Sequence, residues 1–339
     1  MENNNAPTDI RQVWNQICDE IALQVSPESL QRWIKPLLLR YVTHEKLCLA
    51  IEDEFHREWV LDHYKRDLLE AAEFVLGHSV ALEIYVTGQL LLPAFSSRQA
   101  IIPNSFARSS LFGVQARGQS DYLEQVELEA WKNVQMKYTG PQLDQHDLDV
   151  WLQCLRLMDS NELGQPVEFS AYGFLKDMGK GTSKRDYQNL NRRLTRLRAM
   201  ALDLKIGEEG YVGGLLERYY RHEGSGRFII IADPLTASLF KNDQYARLDW
   251  EQRIRLRGQL AKFLHAYLPT HSTKNAPHFI GVQKIQKLSR SSTKRLGDFR
   301  KLLRKSCQEL VEIGALEEWW IDENDVAHFV RTYKRLENI

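Results

Sequence analysis

The sequence predicts an α+β fold in which a small α/β domain precedes two winged helix-turn-helix domains, and three observations support this. A basic, two-faced helical pattern occurs twice, 109 residues apart. Each copy is followed by two runs of β-branched and aromatic residues around a polar turn. The first ninety residues alternate helix and strand patterns and have their own, acidic charge.

Charge is unevenly distributed along the chain. Of 339 residues, 45 are basic and 45 acidic, yet residues 1–90 hold 8 basic and 15 acidic side chains and the remainder holds 37 and 30. The two parts are therefore expected to perform different tasks. No apolar run approaches the ~20 residues that span a bilayer, and the N-terminus lacks a signal-peptide layout. We expect a cytoplasmic protein with no membrane contact.

The N-terminal domain, residues 1–88, begins with helical patterns. Asp9 is the expected cap of a helix with its apolar face on Ile10, Trp14 and Ile17, and Ser26 caps a second helix with Pro27 in its first turn. Strands are predicted over 37–42 and 46–51, a helix over 54–76 and a last strand over 80–86. This order predicts a compact, KH-like α/β unit.

A spaced set of residues in this unit resembles the N-terminal domain of the DnaA family of bacterial initiators. The set consists of Trp14, the segment around Trp33 to Leu37, DEFHREWVLDHY from Asp53 to Tyr64, and VALEIYV. The resemblance implies that Trp14 lies on a self-association face and that Phe55 contacts the replicative helicase. Where the family often has an acidic residue four before the second Trp, this chain has Ser29, with Glu28 beside it. Without the resemblance, core packing is the simpler interpretation of both residues, although Phe55 stands in the highly charged run EDEFHRE, where an aromatic side chain is less obviously buried.

Residues 89–118 have the composition of a linker, with prolines, glycines and serines. Gln89 to Leu92 could serve as a short motif for the polymerase sliding clamp, although Pro93 replaces the terminal aromatic. Ile102 to Val114, IPNSFARSSLFGV, resembles the entry segment of TrfA-type plasmid replication initiators. YTGPQLDQHDLDVWLQCL and the first basic helix extend this resemblance to about residues 100–335. It implies two winged-helix domains, placed at 119–245 and 246–339, that bind repeated sites in a plasmid origin.

The first basic helix is predicted over Thr182 to Ile206, with Leu190, Leu194 and Leu197 on one apolar stripe. Residues 180–205 hold eight basic and two acidic side chains, and residues 284–305 hold nine and one. Shorter helices are predicted before them, over 171–178 and 282–288, and further helices over 144–158 and 247–268. A single basic face is most often only solvated surface, but two in register favour DNA binding.

The candidate DNA-contacting residues divide by expected role. Base readout is assigned to Arg192, Arg196, Lys301 and Lys305, and positions nearer the phosphates to Lys184, Arg193, Lys294, Arg295 and Arg304. Arg185 is a further DNA-binding candidate on the same helical face as Arg192. The candidate partner-binding residues are Trp14, Glu28 and Phe55.

No catalytic chemistry is indicated. Gly173 to Gly181 has the wrong spacing for a phosphate-binding loop and lacks the Ser or Thr that would hold magnesium. The four cysteines are scattered and the histidines form no ligand-spaced group, so neither a disulfide, a metal nor a cofactor is expected. A recombinase could use Tyr219 or Tyr220 as nucleophile, but both lie in a predicted hairpin.

We therefore expect a non-enzymatic plasmid replication initiator that binds origin repeats, helps open the duplex and recruits the replicative helicase or the host initiator DnaA. Self-association as a dimer is also expected. The alternative is a winged-helix transcriptional repressor, which explains the basic helices equally well and leaves the N-terminal domain without a purpose.

Overall fold

A computed structural model describes residues 10–51, 53–86, 92–116, 121–131, 133–158, 163, 165–206, 209–222, 224–271 and 277–332. These residues form two compact units, one on each side of residue 90. No helix among them is both long and apolar enough to cross a membrane.

The first unit packs helices on a three-stranded sheet. Its elements are α1 (Ile10–Ile21), α2 (Pro27–Ser29) continued by a π-helical turn (Leu30–Ile34), β1 (Leu38–Val42), β2 (Lys46–Ile51), α3 (Glu54–His63), α4 (Lys65–Leu76) and β3 (Ala81–Val86). β2 lies in the middle, antiparallel to β1 and parallel to β3. The predicted cap is confirmed, because the Ser26 hydroxyl accepts the Ser29 N–H at 3.1 Å.

The single helix predicted over 54–76 is wrong. Tyr64 leaves the helical conformation, with φ −124° and ψ 2°, and divides the segment into α3 and α4. Each helix can then turn its own apolar residues inward, Val60 from α3 and Leu68 with Ala71 and Ala72 from α4. Gly77 ends α4 at φ +76°, a left-handed conformation that glycine adopts without steric cost.

The second unit contains the remaining elements. In its first part they are β4 (Gln99–Pro103), α5 (Asn104–Ala107), β5 (Tyr122–Glu127), β6 (Val134–Pro141), α6 (Gln145–Leu157), β7 (Val167–Ser170), α7 (Ala171–Asp177), α8 (Lys184–Ala199), β8 (Ala201–Ile206), β9 (Glu209–Gly213), β10 (Arg218–His222) and β11 (Arg227–Ile231). A 3₁₀ segment (Pro234–Asp243) follows. In its second part they are β12 (Tyr245–Asp249), α9 (Trp250–Arg255), α10 (Gln259–Tyr267), a 3₁₀ turn (Leu268–Thr270), β13 (His278–Gly281), α11 (Val282–Leu288), α12 (Leu296–Glu312), β14 (Leu316–Ile321) and β15 (Val326–Arg331).

One arrangement of elements occurs twice in this unit. The first module, residues 145–231, runs α6, β7, α7, α8 and the hairpin β10–β11; the second module, residues 259–331, runs α10, β13, α11, α12 and the hairpin β14–β15. In both, the strand before the short helix pairs antiparallel with the last strand of the hairpin, β7 with β11 and β13 with β15. The first module also carries the inserted hairpin β8–β9, which joins β5 and β6 in a separate sheet.

Two predicted helices are shorter than the sequence pattern indicated. The helix expected over Thr182 to Ile206 ends at Ala199, and residues 201–206 form β8, where buried Leu202 and Leu204 alternate with exposed neighbours. The helix expected over 247–268 is a strand and two helices, because Leu256 is extended at ψ 133° between α9 and α10. Alternation of apolar residues prevailed over helical spacing in β8.

Within the predicted linker of residues 89–118, the structure contains β4 and α5. β4 pairs antiparallel with β12, and the side chains of Ile101, Ile102, Phe106 and Phe112 are almost fully buried. The predicted domain boundary at 245/246 falls inside β12 itself. β4 pairs with a strand far along the chain, and Phe106 and Phe112 pack against Trp151 of α6, contacts that a local reading of prolines and serines could not indicate.

A buried ionic cluster joins the two modules. Asp149 of α6 accepts a hydrogen bond from Arg253 Nε at 2.8 Å and lies 2.8 Å from Lys262 Nζ. All three side chains are at most 2% exposed. Burial raises the pKa of the Asp149 carboxyl, but Lys262 and Arg253 outweigh it and hold that pKa well below the usual range. Burial lowers the pKa of Lys262 to about 8.

Two stacked histidines lie beyond α10. The rings of His271 and His278 are 4.0 Å apart, and His278 Nε2 lies 3.2 Å from the Tyr267 hydroxyl. Burial lowers the pKa of His271 to about 3 and that of His278 to about 4, with Arg108 adding to both shifts. Both imidazoles are therefore neutral in the folded protein at neutral pH.

We expect acid to destabilise the protein through these rings. A histidine with a lowered pKa binds its proton more weakly in the folded than in the unfolded chain, so unfolding free energy is lost as pH falls below about 6.5 and continues to fall toward pH 4. Each ring contributes up to about 1.4 kcal/mol per pH unit. The free energy of unfolding, measured with urea across this pH range, should depend less steeply on pH in His278→Gln than in the wild type. His222→Gln, at an exposed site, is the control; equal slopes would contradict the expectation.

Candidate nucleic-acid interface

The long helix of the second module is anchored by its apolar stripe. Phe299, Leu303, Cys307 and Leu310 of α12 are fully buried. The carboxylate of Glu309 accepts the Gly258 N–H at 3.1 Å and so binds α12 to the first turn of α10. These contacts fix which face of α12 is turned outward.

That outward face is basic. Lys301, Arg304 and Lys305 are exposed, and the Lys301 side chain retains 81% of its accessible surface, with Nζ 3.5 Å from Asp298. Lys294 and Arg295 are also exposed, but they precede the helix, with Arg295 at the N-cap position. The structure thus places the five residues predicted for this module at the solvent-facing side of α12 or just before it.

The corresponding helix of the first module, α8, also presents basic side chains to solvent. Leu190, Leu194 and Leu197 are buried as predicted, while Lys184 and Arg185 are exposed in its first turn. Arg192 is exposed two turns further along the helix, on the same face as Arg185, and its guanidinium donates to Asn189 Oδ1 at 3.2 Å. The N-terminus is held by Asp186, whose carboxylate accepts the Ser183 N–H at 2.9 Å.

Arg193 and Arg196, both predicted to contact DNA, form hydrogen bonds with carboxylates at the start of α6. Arg193 donates to Asp144 at 2.9 Å and to Asp147 at 2.7 Å, while Arg196 donates to Asp147 at 2.9 Å and to the Gln142 carbonyl. Asp147 is fully buried, and the two arginine side chains are only 18% and 15% exposed. α6 packs against this side of α8, so these arginines neutralise the carboxylates of Asp144 and Asp147.

Two neighbouring arginines of α8 should therefore respond differently to alanine substitution. Arg196→Ala removes charged hydrogen bonds to buried Asp147 and should lower the unfolding free energy by about 2 kcal/mol. Arg192→Ala should change it by less than about 0.5 kcal/mol, as is usual at the surface. Chemical denaturation measures both. Equal effects would show that the arginine network does not hold α8 in place.

The hairpin of the first module adds basic residues that the sequence reading missed. Arg218 and Arg227 are more than half exposed, paired with Glu217 and Glu168, and Arg221 lies between them on β10. Tyr219 bridges this hairpin to α8, with its hydroxyl 2.7 Å from Thr195 Oγ1. The spacing of arginines in the predicted hairpin was a signal available in the sequence. Tyr219 is explained by packing rather than by nucleophilic chemistry.

The three candidate partner residues differ in exposure. Trp14 packs partly buried against the core of the first unit, and Glu28 is exposed in the first turn of α2. Phe55 is 66% exposed, with its ring 6.3 Å from Trp33 and 6.1 Å from Trp59. Phe55 therefore belongs to a surface aromatic group rather than to the core.

Trp33 and Trp59 are the members of this group that sequence reasoning did not assign a role. Their rings stack at 5.0 Å, the His63 ring continues the stack 4.1 Å from Trp59, and the Arg32 guanidinium lies 5.0 Å from the Trp33 ring. Because Trp33 and Trp59 lie in different helical segments, no local sequence pattern indicates that their rings are in contact.

Three other features of the sequence were considered as sites. Gly173 to Gly181 forms α7 and its following turn, with Gly179 at φ +62°. The clamp-like segment, Gln89 to Leu92, lies mostly outside the described residues. In the part of the chain that the structure describes, His, Cys, Asp and Glu side chains form no group of three suited to a metal ion.

Comparison with known proteins finds two matching family models. The TrfA protein family matches residues 84–331, and the DnaA N-terminal domain family matches residues 11–73. Among curated relatives, the plasmid replication initiator protein TrfA of Escherichia coli is 26% identical over 238 residues, 68% of this chain. The chromosomal replication initiator protein DnaA of Methylacidiphilum infernorum (isolate V4) is 29% identical over 74 residues, 22% of this chain. The chain spans 61% of the length of the first and 16% of the second.

Two solved structures also match this chain at low sequence identity. Domains 2 and 3 of RctB superpose with a TM-score of 0.49 at 12% identity, over 69% of this chain and 99% of that one. The Pi initiator protein, solved in complex with iteron DNA, gives a TM-score of 0.44 at 13% identity, over 56% of this chain and 95% of that one.

Proposed function

The chain belongs to the TrfA protein family, and from this premise we propose that it initiates plasmid replication by binding repeated sequences in the origin. The observation that carries the proposal is the duplicated module. Each copy holds a long helix by an apolar stripe and turns basic side chains outward, in a chain whose net charge is zero. Binding, rather than catalysis, is the task of this surface.

Each module has the element order of a winged helix, in which the long helix enters the major groove. On this assignment the two modules divide the work. α12 reads bases through Lys301 and Lys305, while Lys294, Arg295 and Arg304 contact phosphates. α8 retains Lys184, Arg185 and Arg192 for the DNA backbone, because Arg193 and Arg196 are bound to α6. The exposed hairpin arginines of the first module extend that backbone contact.

The first unit would serve recruitment. It matches the DnaA N-terminal family and has the helix-on-sheet form expected of a KH-like domain. Residues 1–90 carry 15 acidic and 8 basic side chains, so the unit is a poor ligand for DNA phosphates. We assign it to contact with the replicative helicase or DnaA through exposed Phe55 and Glu28, with Trp14 at a self-association face.

Plasmid establishment tests the proposal. The gene and its flanking DNA are placed on a vector that cannot replicate in the host, beside a version carrying Lys301→Glu and Lys305→Glu. Colonies only from the intact gene would support an initiator that works through α12. Footprints on the flanking DNA without any colonies would overturn initiation in that host, and the transcriptional repressor would replace it.

Salt dependence gives a second measure of the interface. If about eight phosphates are neutralised, affinity for an origin repeat should fall roughly 10⁴-fold over a fourfold rise in salt concentration. A fall of less than about tenfold, measured by fluorescence anisotropy with a labelled duplex, would contradict an interface that uses both modules.

A further inference from the structure

The hairpin of the second module has an aromatic row on the face turned away from the core. Phe279 on β13 lies opposite His328 on β15, and His328 lies opposite Trp320 on β14. The Phe279 and His328 rings are 6.1 Å apart, and the His328 and Trp320 rings stack at 4.7 Å with 4° between their planes. One row thus crosses all three strands.

The opposite face of the same sheet packs into the hydrophobic core. Ala327 and Phe329 alternate with His328 along β15 and are 1% exposed. Phe279, by contrast, is 68% exposed and Trp320 is 37% exposed. Large aromatic side chains on a solvent-facing sheet are typical of surfaces that bind a partner.

Charge distinguishes this hairpin from its counterpart. Residues 218–231 of the first module contain three arginines and one glutamate, whereas residues 316–331 of the second contain five acidic residues and one arginine. Glu318 shares the outer face with Trp320, because the two are alternate residues of β14. The turn adds Asp322, whose carboxylate lies 2.9 Å from His328 Nε2. An acidic hairpin repels DNA phosphates.

We propose that the outer face of the β13–β15–β14 sheet docks an arginine- or lysine-bearing segment of a protein partner. Trp320 and Phe279 offer ring faces to which a guanidinium or ammonium group is attracted. Glu318 and Asp322 supply carboxylates beside those rings, the combination that arginine binds with both charge and planarity. The proposal rests on the proposed function and extends it. α12 of the same module would bind in the major groove of DNA while this sheet face stays outside the groove and binds the protein partner.

The test measures binding of a fluorescein-labelled octa-arginine peptide to the full-length chain by anisotropy, without DNA. Trp320→Ala and Glu318→Lys should each weaken binding at least about tenfold. Glu73→Lys, an exposed acidic residue on α4 of the first unit, makes the same charge change as Glu318→Lys and should leave binding within about twofold. Glu318→Lys alters only an exposed side chain and keeps the test valid if Trp320→Ala is unstable.

Equal peptide binding by the wild type and both sheet variants would overturn the proposal. A second result would also overturn it: a labelled oligo(dT) strand that binds more tightly than the peptide and loses this binding in Trp320→Ala. The aromatic row would then be a surface on which nucleic-acid bases stack. The peptide assay contains no origin DNA. Its failure is therefore distinguishable from failure of plasmid initiation.

Discussion

The double variant Lys301→Glu and Lys305→Glu is expected to lose binding to its origin repeat by at least about 1,000-fold. Both side chains are exposed on the outward face of α12. Each substitution removes a contact typically worth about 1–3 kcal/mol and places a carboxylate near the DNA phosphates. The salt slope of the remaining binding should also fall by about two. Anisotropy titrations at several salt concentrations measure both quantities.

A matched control separates this effect from a general change in charge. Lys65→Glu with Arg66→Glu alters net charge by the same amount at exposed positions of the first unit. That control should bind the repeat within about twofold of the wild type. If both double variants lose affinity equally, attraction by overall charge explains DNA binding and the assignment of α12 fails.

Asp149→Ala should lower the free energy of unfolding by about 3–5 kcal/mol, the cost of leaving buried charge without its partner. The substitution leaves Arg253 and Lys262 together in a site where neither is more than 1% exposed. Because an ordinary domain has about 5–15 kcal/mol of stability, this variant should lose a large part of its free energy of unfolding. Urea denaturation followed by circular dichroism measures the change.

The exposed pair between Arg227 and Glu168 supplies the comparison. Its atoms are 2.8 Å apart, like those of Asp149 and Arg253, but its side chains are 62% and 50% exposed. Glu168→Ala should cost no more than about 1 kcal/mol. A similar loss in both variants would mean that burial does not determine the strength of these contacts.

Local patterns predicted most of the elements that position the DNA-facing surface. Leu190, Leu194 and Leu197 stand at helical spacing and are buried, and the strands around both polar turns are present. The apolar stripe of α12 is equally clear in sequence and structure. Such features depend on neighbours within one or two turns, so a single sequence contains the information.

The orientation of Arg193 and Arg196 could not be obtained in the same way. Their partner Asp147 lies 46 and 49 positions earlier, and only the packing of α6 on α8 brings the charges together. A residue such as Asp147, set among the apolar residues of a predicted helix, could have signalled a buried ion pair. It does not identify the partner.

The pairing of β4 with β12 was hidden for a related reason. The turn-forming residues around it are typical of a linker, whereas the burial of Ile101 and Ile102 depends on a strand far along the chain. The exposed aromatic group of Phe55, Trp33 and Trp59 likewise required the fold. Non-local contacts are the part of a structure that spacing alone does not encode.

The buried cluster of Asp149, Arg253 and Lys262 limits the spacing, in base pairs, between the two DNA segments that one molecule can bind at once. Because it joins α6 of the first module to α9 and to α10 of the second module, α8 and α12, the helices proposed to contact DNA, are held at a fixed separation. A fixed gap fits one number of base pairs. Inserting about five base pairs, half a helical turn, into the middle of a repeat would rotate one half of the target to the far side of the duplex. The second of the two helices could then no longer reach its half of the repeat.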